Sequence, residues 1–179
     1  MLDSSEFLDF VCVAAPRSGT TWLFEALRQH RSIHIPAAKE LNFFNEALLG
    51  HMEFKYSRGI GYYRRQFDGA SKDTRLGDVS PTYYVDPRAA QRIFQHFPNV
   101  RIVCLLRNPV EVVYSTYLKT RAYFPMPPTF KLAIEEYPEI LNLGYYYKYL
   151  LRYCDLFPTE HIYVRTYEDF FESAAAECA

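Results

Sequence analysis

The strongest constraint on this chain is a short apolar run that leads directly into a polar loop containing glycine. Residues 10–14 read FVCVA, residues 15–21 read APRSGTT, and apolar residues at helical spacing follow. An unbroken apolar run is typical of a strand buried on both faces, as in a parallel sheet covered by helices. When such a strand turns through a tight loop into a helix, backbone N–H groups and the positive helix N-terminus face any bound anion. The sequence therefore predicts an anion-binding turn at residues 15–21.

The remaining apolar pattern alternates strands with helices, which predicts an α/β fold. Residues 100–106 (VRIVCLL) and 161–164 (HIYV) are predicted strands, and residues 32–35 are a shorter candidate. Asp86-Pro87 and Asn108-Pro109 each combine a helix-capping side chain with proline at the first helical position. Predicted helices span residues 20–29, with Trp22, Leu23, Ala26 and Leu27 on one buried stripe, and residues 143–157, and two more begin at the capping pairs.

Composition limits the class of protein and its partners. A length of 179 residues predicts one domain over residues 1–179. The 20 Lys and Arg residues are balanced by 21 Asp and Glu residues, so we expect no general binding of nucleic acid. The four cysteines form no CxxC pair, and the histidines have no metal-ligand spacing, which predicts no metal site. No apolar stretch approaches the roughly 20 residues that span a bilayer, and no signal peptide is visible. We therefore expect a cytoplasmic protein without a membrane segment.

The loop at residues 15–21 differs from the phosphate loop GxxxxGK[ST] at the position of its cation. Gly19 and Thr21 match the second glycine and the hydroxyl, whereas Thr20 stands in place of the lysine and Arg17 supplies a cation. That lysine normally reaches the β- and γ-phosphates, so an anion other than the γ-phosphate of ATP is predicted. An ordinary strand–helix turn is the alternative interpretation. The predicted anion-binding residues are Arg17, Ser18, Gly19, Thr20 and Thr21.

A second anion site is predicted where the strand at residues 100–106 ends. Arg107 follows this strand, and Ser115 lies about two helical turns beyond the Asn108 cap. These two side chains suit one phosphate, which a guanidinium binds in a bidentate way. The alternative is that Arg107 only pairs with a carboxylate such as Glu111. Two anion sites at the ends of parallel strands indicate a nucleotide with phosphates at both ends.

Taken together, these motifs resemble those of the sulfotransferases that use 3′-phosphoadenosine 5′-phosphosulfate (PAPS). The resemblance extends from about residue 10 to residue 170 and is closest to the carbohydrate branch, the glycosaminoglycan type. Residues 15–23 (APRSGTTWL) resemble the 5′-phosphosulfate loop, which adds Trp22 to the implied nucleotide-binding residues. Residues 106–117 (LRNPVEVVYSTY) resemble the 3′-phosphate motif. Further similar segments are residues 39–44 (KELNFF), 56–63 (YSRGIGYY), 78–84 (DVSPTYY), 144–145 and 164–170 (VRTYEDF).

The resemblance implies a fold, a donor and a reaction. The fold is a three-layer α/β/α arrangement with a central parallel sheet, like that of the P-loop nucleoside triphosphatases. PAPS is the implied co-substrate, without a metal, and a hydroxyl of a small molecule or glycan is the implied acceptor. Glu40 matches the base that removes the proton of this hydroxyl, and Arg17 and Lys39 are the cations expected to stabilise the charge on the leaving phosphate.

Departures from the family pattern leave two other functions open. Val79 occupies a position where the carbohydrate branch usually has a catalytic lysine, and Asn42 replaces a common histidine. Family members also continue into a basic, glycine-containing loop that covers the nucleotide, so we expect residues 1–179 to be a single domain truncated at its C-terminus. The alternatives are a small-molecule kinase of the P-loop type and a PAPS-binding or PAP-binding module with an incomplete catalytic site.

Overall fold

The computed structural model describes residues 7–46 and 55–169, and a five-stranded parallel sheet lies at their centre. The strands are β1 (Phe10–Ala14), β2 (Ile33–His34), β3 (Arg75–Val79), β4 (Arg101–Leu106) and β5 (Ile162–Thr166). Their spatial order is β2-β3-β1-β4-β5, with β1 in the middle. The pairs Phe10–Gly77 and Phe10–Arg101 fix the register of β1 against its two neighbours. The parallel α/β fold predicted from the sequence is confirmed.

Helices cover both faces of the sheet. They are α1 (Thr20–Arg28), α2 (Ile60–Arg65), α3 (Ala89–His96), α4 (Pro109–Tyr123), α5 (Phe130–Glu136) and α6 (Tyr146–Cys154). Short 3-10 turns span Tyr56–Arg58, Pro81–Tyr84, Pro138–Gly144 and Thr159–His161. None of the helices in the described ranges is both long and apolar enough to cross a membrane.

The alternation of side chains along β1 divides the core into two parts. Val11 and Val13 face a large cluster to which α2, α3 and α6 contribute, whereas Cys12 and Ala14 face a smaller cluster that includes Phe24 of α1. Burial of alternate residues on opposite faces explains why the strand is apolar throughout. The sheet and its two helical layers thus form the three-layer arrangement.

The helix starts follow the capping signals, with one displacement. The Asn108 side chain accepts hydrogen bonds from the backbone N–H groups of Val110 and Glu111, so α4 begins at Pro109 as predicted. Asp86 also accepts bonds from the backbone N–H groups of Arg88 and Ala89 through its Oδ1. However, α3 begins only at Ala89, three residues after the predicted cap, because Asp86 closes a turn before the helix.

Two sequence predictions about the region around β1 are wrong. Trp22 was predicted on the buried stripe of α1, but it is 44% exposed, because the buried residues of this helix are Thr20 and Phe24. Strand β3 was not predicted, since its sequence RLGDV combines an arginine, a glycine and an aspartate. The glycine is needed there: a Cβ on Gly77 would lie 2.1 Å from the ring of Phe10 on β1.

Candidate functional site

The loop between β1 and α1 has the backbone expected of an anion-binding turn. Arg17 and Gly19 both adopt left-handed conformations, with φ of 64° and 81°, which turn the chain sharply into the helix. Gly19 is the residue before α1 and provides no side-chain cap for its first N–H groups. The hydroxyl of Ser18 is buried and has no hydrogen-bond partner within the described residues. A buried hydroxyl without a partner is costly, and a bound anion would satisfy it.

Arg17, Arg107 and Ser115 lie together, although 98 residues separate the first from the last. The Arg17 Nε donates to the Ser115 Oγ at 3.1 Å, and an Arg107 Nη donates to the Arg17 carbonyl at 3.2 Å. This contact follows from the topology, since β1 and β4 are adjacent and parallel, and their carboxyl ends lie at the same edge. The two predicted anion sites therefore form one continuous polar surface.

Arg107 is held by groups on three sides. Its guanidinium lies 2.6 Å from Glu111, so the alternative contact considered in the sequence analysis is present. The same guanidinium lies over the ring of Tyr167, 4.8 Å from its centre. The Tyr146 hydroxyl donates to the Arg107 carbonyl, and Glu168 accepts a bond from the next backbone N–H. Because Glu111 is exposed, a phosphate can compete with it for Arg107.

Lys39 connects the first turn of α1 to the carboxylate of Glu40. The Lys39 Nζ donates to the Thr21 Oγ1 at 2.8 Å and lies 3.9 Å from the Glu40 Oε1. The side chains of Lys39 and Glu40 are both about three-quarters shielded from solvent, at 21% and 26% exposed. A carboxylate, an ammonium and a helix N-terminus are thus brought to the same edge of the sheet.

The segment that carries Glu40 is tied to the end of β3. We call residues 39–44 the Glu40 loop. The Asn42 amide nitrogen lies 3.5 Å from the Glu40 Oε2, and the Asn42 Oδ1 accepts a 2.6 Å bond from the Thr82 hydroxyl. The Ser80 Oγ accepts a bond from the Asn42 backbone N–H at 3.1 Å. The position of Glu40 therefore depends on residues that follow β3.

Val79, which the sequence analysis places at the position of the family lysine, is 3% exposed and packs in the smaller core cluster with Phe24 and Cys12. Its side chain thus belongs to the apolar layer under α1.

The buried thiols of Cys12 and Cys104 belong to the core as well, and burial raises the pKa of both, for Cys104 to about 12. Within residues 7–46 and 55–169, no three His, Cys, Asp or Glu side chains are grouped so as to hold a metal ion.

Asp78 is a buried carboxylate beside this site. It is 1% exposed and accepts hydrogen bonds from the hydroxyls of Ser80, Tyr83 and Tyr63 at 2.6, 2.9 and 3.1 Å. Burial raises its pKa from 3.8 to about 6, although the three hydrogen bonds act in the opposite direction, and the nearby charge of Glu40 raises it further. At neutral pH the protein therefore keeps a charge in its interior.

This charge makes stability depend on pH. Because the pKa of Asp78 is higher in the folded state than in the unfolded state, its contribution to stability falls as the pH rises from about 4 to about 6 and is constant above that range. A rise of this size corresponds to about 3 kcal/mol. We therefore expect the free energy of unfolding of the wild type to fall relative to Asp78→Asn across this range, by up to about 3 kcal/mol. Parallel urea titrations at several pH values check this, and a constant difference between the two proteins would contradict it.

The supporting residues Asp78, Ser80 and Thr82 had no predicted role in the site, and Tyr83, considered from the sequence as a surface that could stack on the acceptor, is fully buried. A signal was present, because polar and hydroxyl residues follow an apolar position in DVSPTYY. It was not interpretable without β3, whose carboxyl end places these residues beside the Glu40 loop.

Comparison with known proteins defines the family. The family model described as "Sulfotransferase domain" matches residues 8–178, nearly the whole chain. The chain belongs to the sulfotransferase family. This confirms the resemblance stated in the sequence analysis. The matched residues include both predicted anion sites, at residues 15–21 and at Arg107 and Ser115.

Individual relatives agree with this membership. The membrane-associated sulfotransferase kil1 of Dictyostelium discoideum is 28% identical over 143 residues, covering 75% of this chain and 29% of that protein. Human heparan sulfate glucosamine 3-O-sulfotransferase 6 is 24% identical over 179 residues, covering 96% of this chain and 50% of that protein. The chain thus spans half or less of the length of these two curated relatives.

Solved structures confirm the fold. A sulfotransferase from Alicyclobacillus acidocaldarius superposes with a TM-score of 0.79 at 27% identity, covering 92% of this chain and 75% of that one. The mouse sulfotransferase SULT7A1 complexed with PAP superposes with a TM-score of 0.58 at 16% identity, covering 96% and 56%. At that lower identity the likeness concerns the fold alone.

Proposed function

We propose that this protein transfers a sulfuryl group from PAPS to the hydroxyl of an acceptor, with a carbohydrate as the preferred acceptor class. The observation that carries the proposal is the bond between Arg17 and Ser115, which joins the loop before α1 to the second predicted anion site. Together with family membership over residues 8–178, this contact supports a single nucleotide bound at both of its ends. The heparan sulfate sulfotransferases among the relatives favour a glycan hydroxyl.

The residues present fit the two ends of PAPS. We assign the 5′-phosphosulfate to Arg17 and to the backbone N–H groups of residues 18–21, where the buried Ser18 hydroxyl also needs a partner. The 3′-phosphate is assigned to Arg107 and Ser115, with Arg107 exchanging Glu111 for the phosphate. Trp22, exposed in the first turn of α1, completes the proposed nucleotide contacts.

The proposed chemistry is an in-line displacement at sulfur. The acceptor oxygen forms a bond to sulfur, the bond from sulfur to the bridging phosphate oxygen breaks, and PAP leaves. Glu40 takes the proton of the acceptor hydroxyl. Arg17 and Lys39 stabilise the negative charge that develops on the bridging oxygen, and Lys39 is placed for this by its bond to Thr21. In this proposal side-chain cations do the work for which triphosphatases use a metal.

The direct test is transfer of radiolabelled sulfate from PAPS, in the presence of EDTA, to heparan sulfate and to 4-nitrophenol. Labelled heparan sulfate supports the whole proposal, whereas labelled product with 4-nitrophenol alone supports sulfuryl transfer but contradicts the preference for a carbohydrate. Incubation with ATP and Mg²⁺ covers the kinase alternative, which is disfavoured because Thr20 stands where the phosphate-binding lysine would be. Phosphoryl transfer from ATP without sulfuryl transfer from PAPS would contradict the proposal.

A catalytically incomplete module that only binds PAPS or PAP is the second candidate. The observation that favours it is Val79, whose buried side chain supplies no cation at the family's lysine position. Calorimetric binding of PAP, combined with no product on a broad acceptor panel, would support this function instead.

The second anion site makes a separate prediction about nucleotide affinity. We expect Arg107→Ala to weaken PAP binding about 10- to 100-fold, because a charged hydrogen bond contributes about 1.5–3 kcal/mol. AMP, which lacks the 3′-phosphate, should bind both proteins equally. Glu111→Gln should tighten PAP binding by up to about fivefold, because this exposed carboxylate competes for Arg107. Isothermal titration calorimetry measures all five affinities, and equal losses for PAP and AMP in Arg107→Ala would refute the assignment.

We propose the cytoplasm as its compartment. The support is the sequence expectation together with Cys12 and Cys104, which are buried thiols without a disulfide partner, as in proteins of a reducing compartment. The relative kil1 is described as membrane-associated. Cell fractionation of the tagged full-length protein distinguishes the two locations.

A further inference from the structure

We propose that Asp78 is a positioning residue that holds the Glu40 loop in place by orienting the hydroxyls of Ser80 and Tyr83. Each of these hydroxyls donates its hydrogen to Asp78 and accepts a hydrogen bond from the backbone of the loop. The catalytic part of this inference rests on the proposed function, in which Glu40 is the base. The mechanical part, that Asp78 fixes the loop, stands on the contacts alone.

The direction of each hydrogen bond follows from the chemistry of the carboxylate. An ionised aspartate only accepts hydrogen bonds, and a hydroxyl has a single hydrogen to donate. Ser80 donates to the Oδ1 of Asp78 at 2.6 Å, and Tyr83 donates to the Oδ2 at 2.9 Å. Both hydroxyl oxygens are therefore left with lone pairs alone, and these can only receive bonds from donors.

The hydroxyls of Ser80 and Tyr83 accept hydrogen bonds from consecutive backbone N–H groups of the Glu40 loop. The Asn42 N–H bonds to the Ser80 hydroxyl at 3.1 Å, and the Phe43 N–H bonds to the Tyr83 hydroxyl at 2.9 Å. Asn42 has a φ of 50°, a left-handed conformation that asparagine tolerates better than most residues but that neighbouring groups still have to support. Two oriented acceptors supply that support just after Glu40.

An ionised carboxylate does what a neutral amide cannot do here. An asparagine at position 78 would present an N–H₂ group to one of the two hydroxyls, and that hydroxyl would have to reverse its role. The reversed hydroxyl would then point its own hydrogen at the backbone N–H of the loop, so that two donors would face each other and the hydrogen bond to the loop would be lost. The cost of burying the Asp78 charge, seen in its raised pKa, is thus balanced against a fixed loop geometry.

Two tyrosines provide a matched pair of variants. Tyr63 and Tyr83 are both fully buried and both donate to the same Oδ2 of Asp78, at 3.1 and 2.9 Å. Tyr83 also accepts a bond from the loop backbone, whereas the bond recorded for the Tyr63 hydroxyl is to Asp78. The substitutions Tyr83→Phe and Tyr63→Phe therefore remove the same group from the same carboxylate but differ at the loop.

The test is amide hydrogen exchange of the full chain by NMR, combined with sulfuryl-transfer kinetics. We expect Tyr83→Phe to increase exchange at the Phe43 amide, which loses its acceptor, by about tenfold, with little change in Tyr63→Phe. Asp78→Asn should show the same increase. In the kinetics, turnover should fall more in Tyr83→Phe than in Tyr63→Phe, while the KM for PAPS stays the same in both.

Each other outcome counts against a defined part of the inference. Equal exchange at the loop amides in the two tyrosine variants would overturn the proposal that Asp78 acts through oriented hydroxyls. Faster exchange in Tyr83→Phe with wild-type turnover would overturn the positioning role in catalysis. If the wild type transfers no sulfuryl group, the proposed function fails and takes the catalytic part with it, whereas the exchange comparison still decides whether Asp78 holds the loop.

Discussion

Replacing Glu40 by glutamine is expected to lower the turnover of sulfuryl transfer by about 10²- to 10⁴-fold, the range typical of a lost general base. Glutamine keeps the size of the side chain and its place beside Lys39 and Asn42, but it cannot take a proton from the acceptor. The KM for PAPS should stay within about twofold, because the proposed nucleotide contacts lie on other residues. Steady-state kinetics with labelled PAPS provide the measurement.

Glu46 offers a matched control on the same chain segment. Its carboxylate is half-exposed and pairs with Arg88 and Arg92, away from Lys39. Glu46→Gln should leave turnover essentially unchanged. If Glu40→Gln retained full activity, another group would have to take the proton, and Glu40 would be only the partner of Lys39.

The second large effect is expected at Arg17. Removal of its guanidinium by Arg17→Ala should reduce turnover by about 10²- to 10³-fold, as for the loss of one preorganised donor at a developing negative charge. It should also weaken PAP binding, because the same side chain connects the loop to Ser115. Single-turnover kinetics at saturating PAPS separate the effect on the chemical step from the effect on binding.

Arg28 is the corresponding control for charge. It is the last residue of α1 and pairs with Glu25 on the exposed surface, so Arg28→Ala removes the same kind of charge from the opposite end of the helix. Its turnover and PAP affinity should equal those of the wild type. Unchanged turnover and unchanged PAP affinity in Arg17→Ala would show that the loop binds its anion without this arginine.

The sequence was sufficient to predict the elements whose local signals agree with their surroundings. Strands β1 and β4 are apolar because both of their faces are buried, and α4 starts at an asparagine cap followed by proline. Strand β3 could not be found in this way, because Gly77 is required by the ring of Phe10 on a neighbouring strand. The glycine in β3 is thus explained by Phe10, a residue 67 positions away in the chain.

The candidate site shows the same division. Arg17 and Arg107 were predictable because each follows a strand, and parallel strands bring their carboxyl ends together. The contacts of the Glu40 loop with Ser80 and Tyr83 were not predictable, because they join two irregular segments whose approach depends on packing of the aromatic core. The exposure of Trp22 has a similar cause, since Phe24 takes the buried position on α1.

The contact of Arg107 with the Arg17 carbonyl has a consequence for donors that lack the 3′-phosphate. This bond and the Arg17–Ser115 bond connect the proposed site of the 3′-phosphate to the proposed site of the 5′-phosphosulfate. A 3′-phosphate bound at Arg107 would therefore restrict the position of Arg17, which contacts the 5′-phosphosulfate in the proposal. Binding energy gained far from the reacting sulfur can therefore be used to align it. Adenosine 5′-phosphosulfate would then be a slow donor even at concentrations that saturate the enzyme.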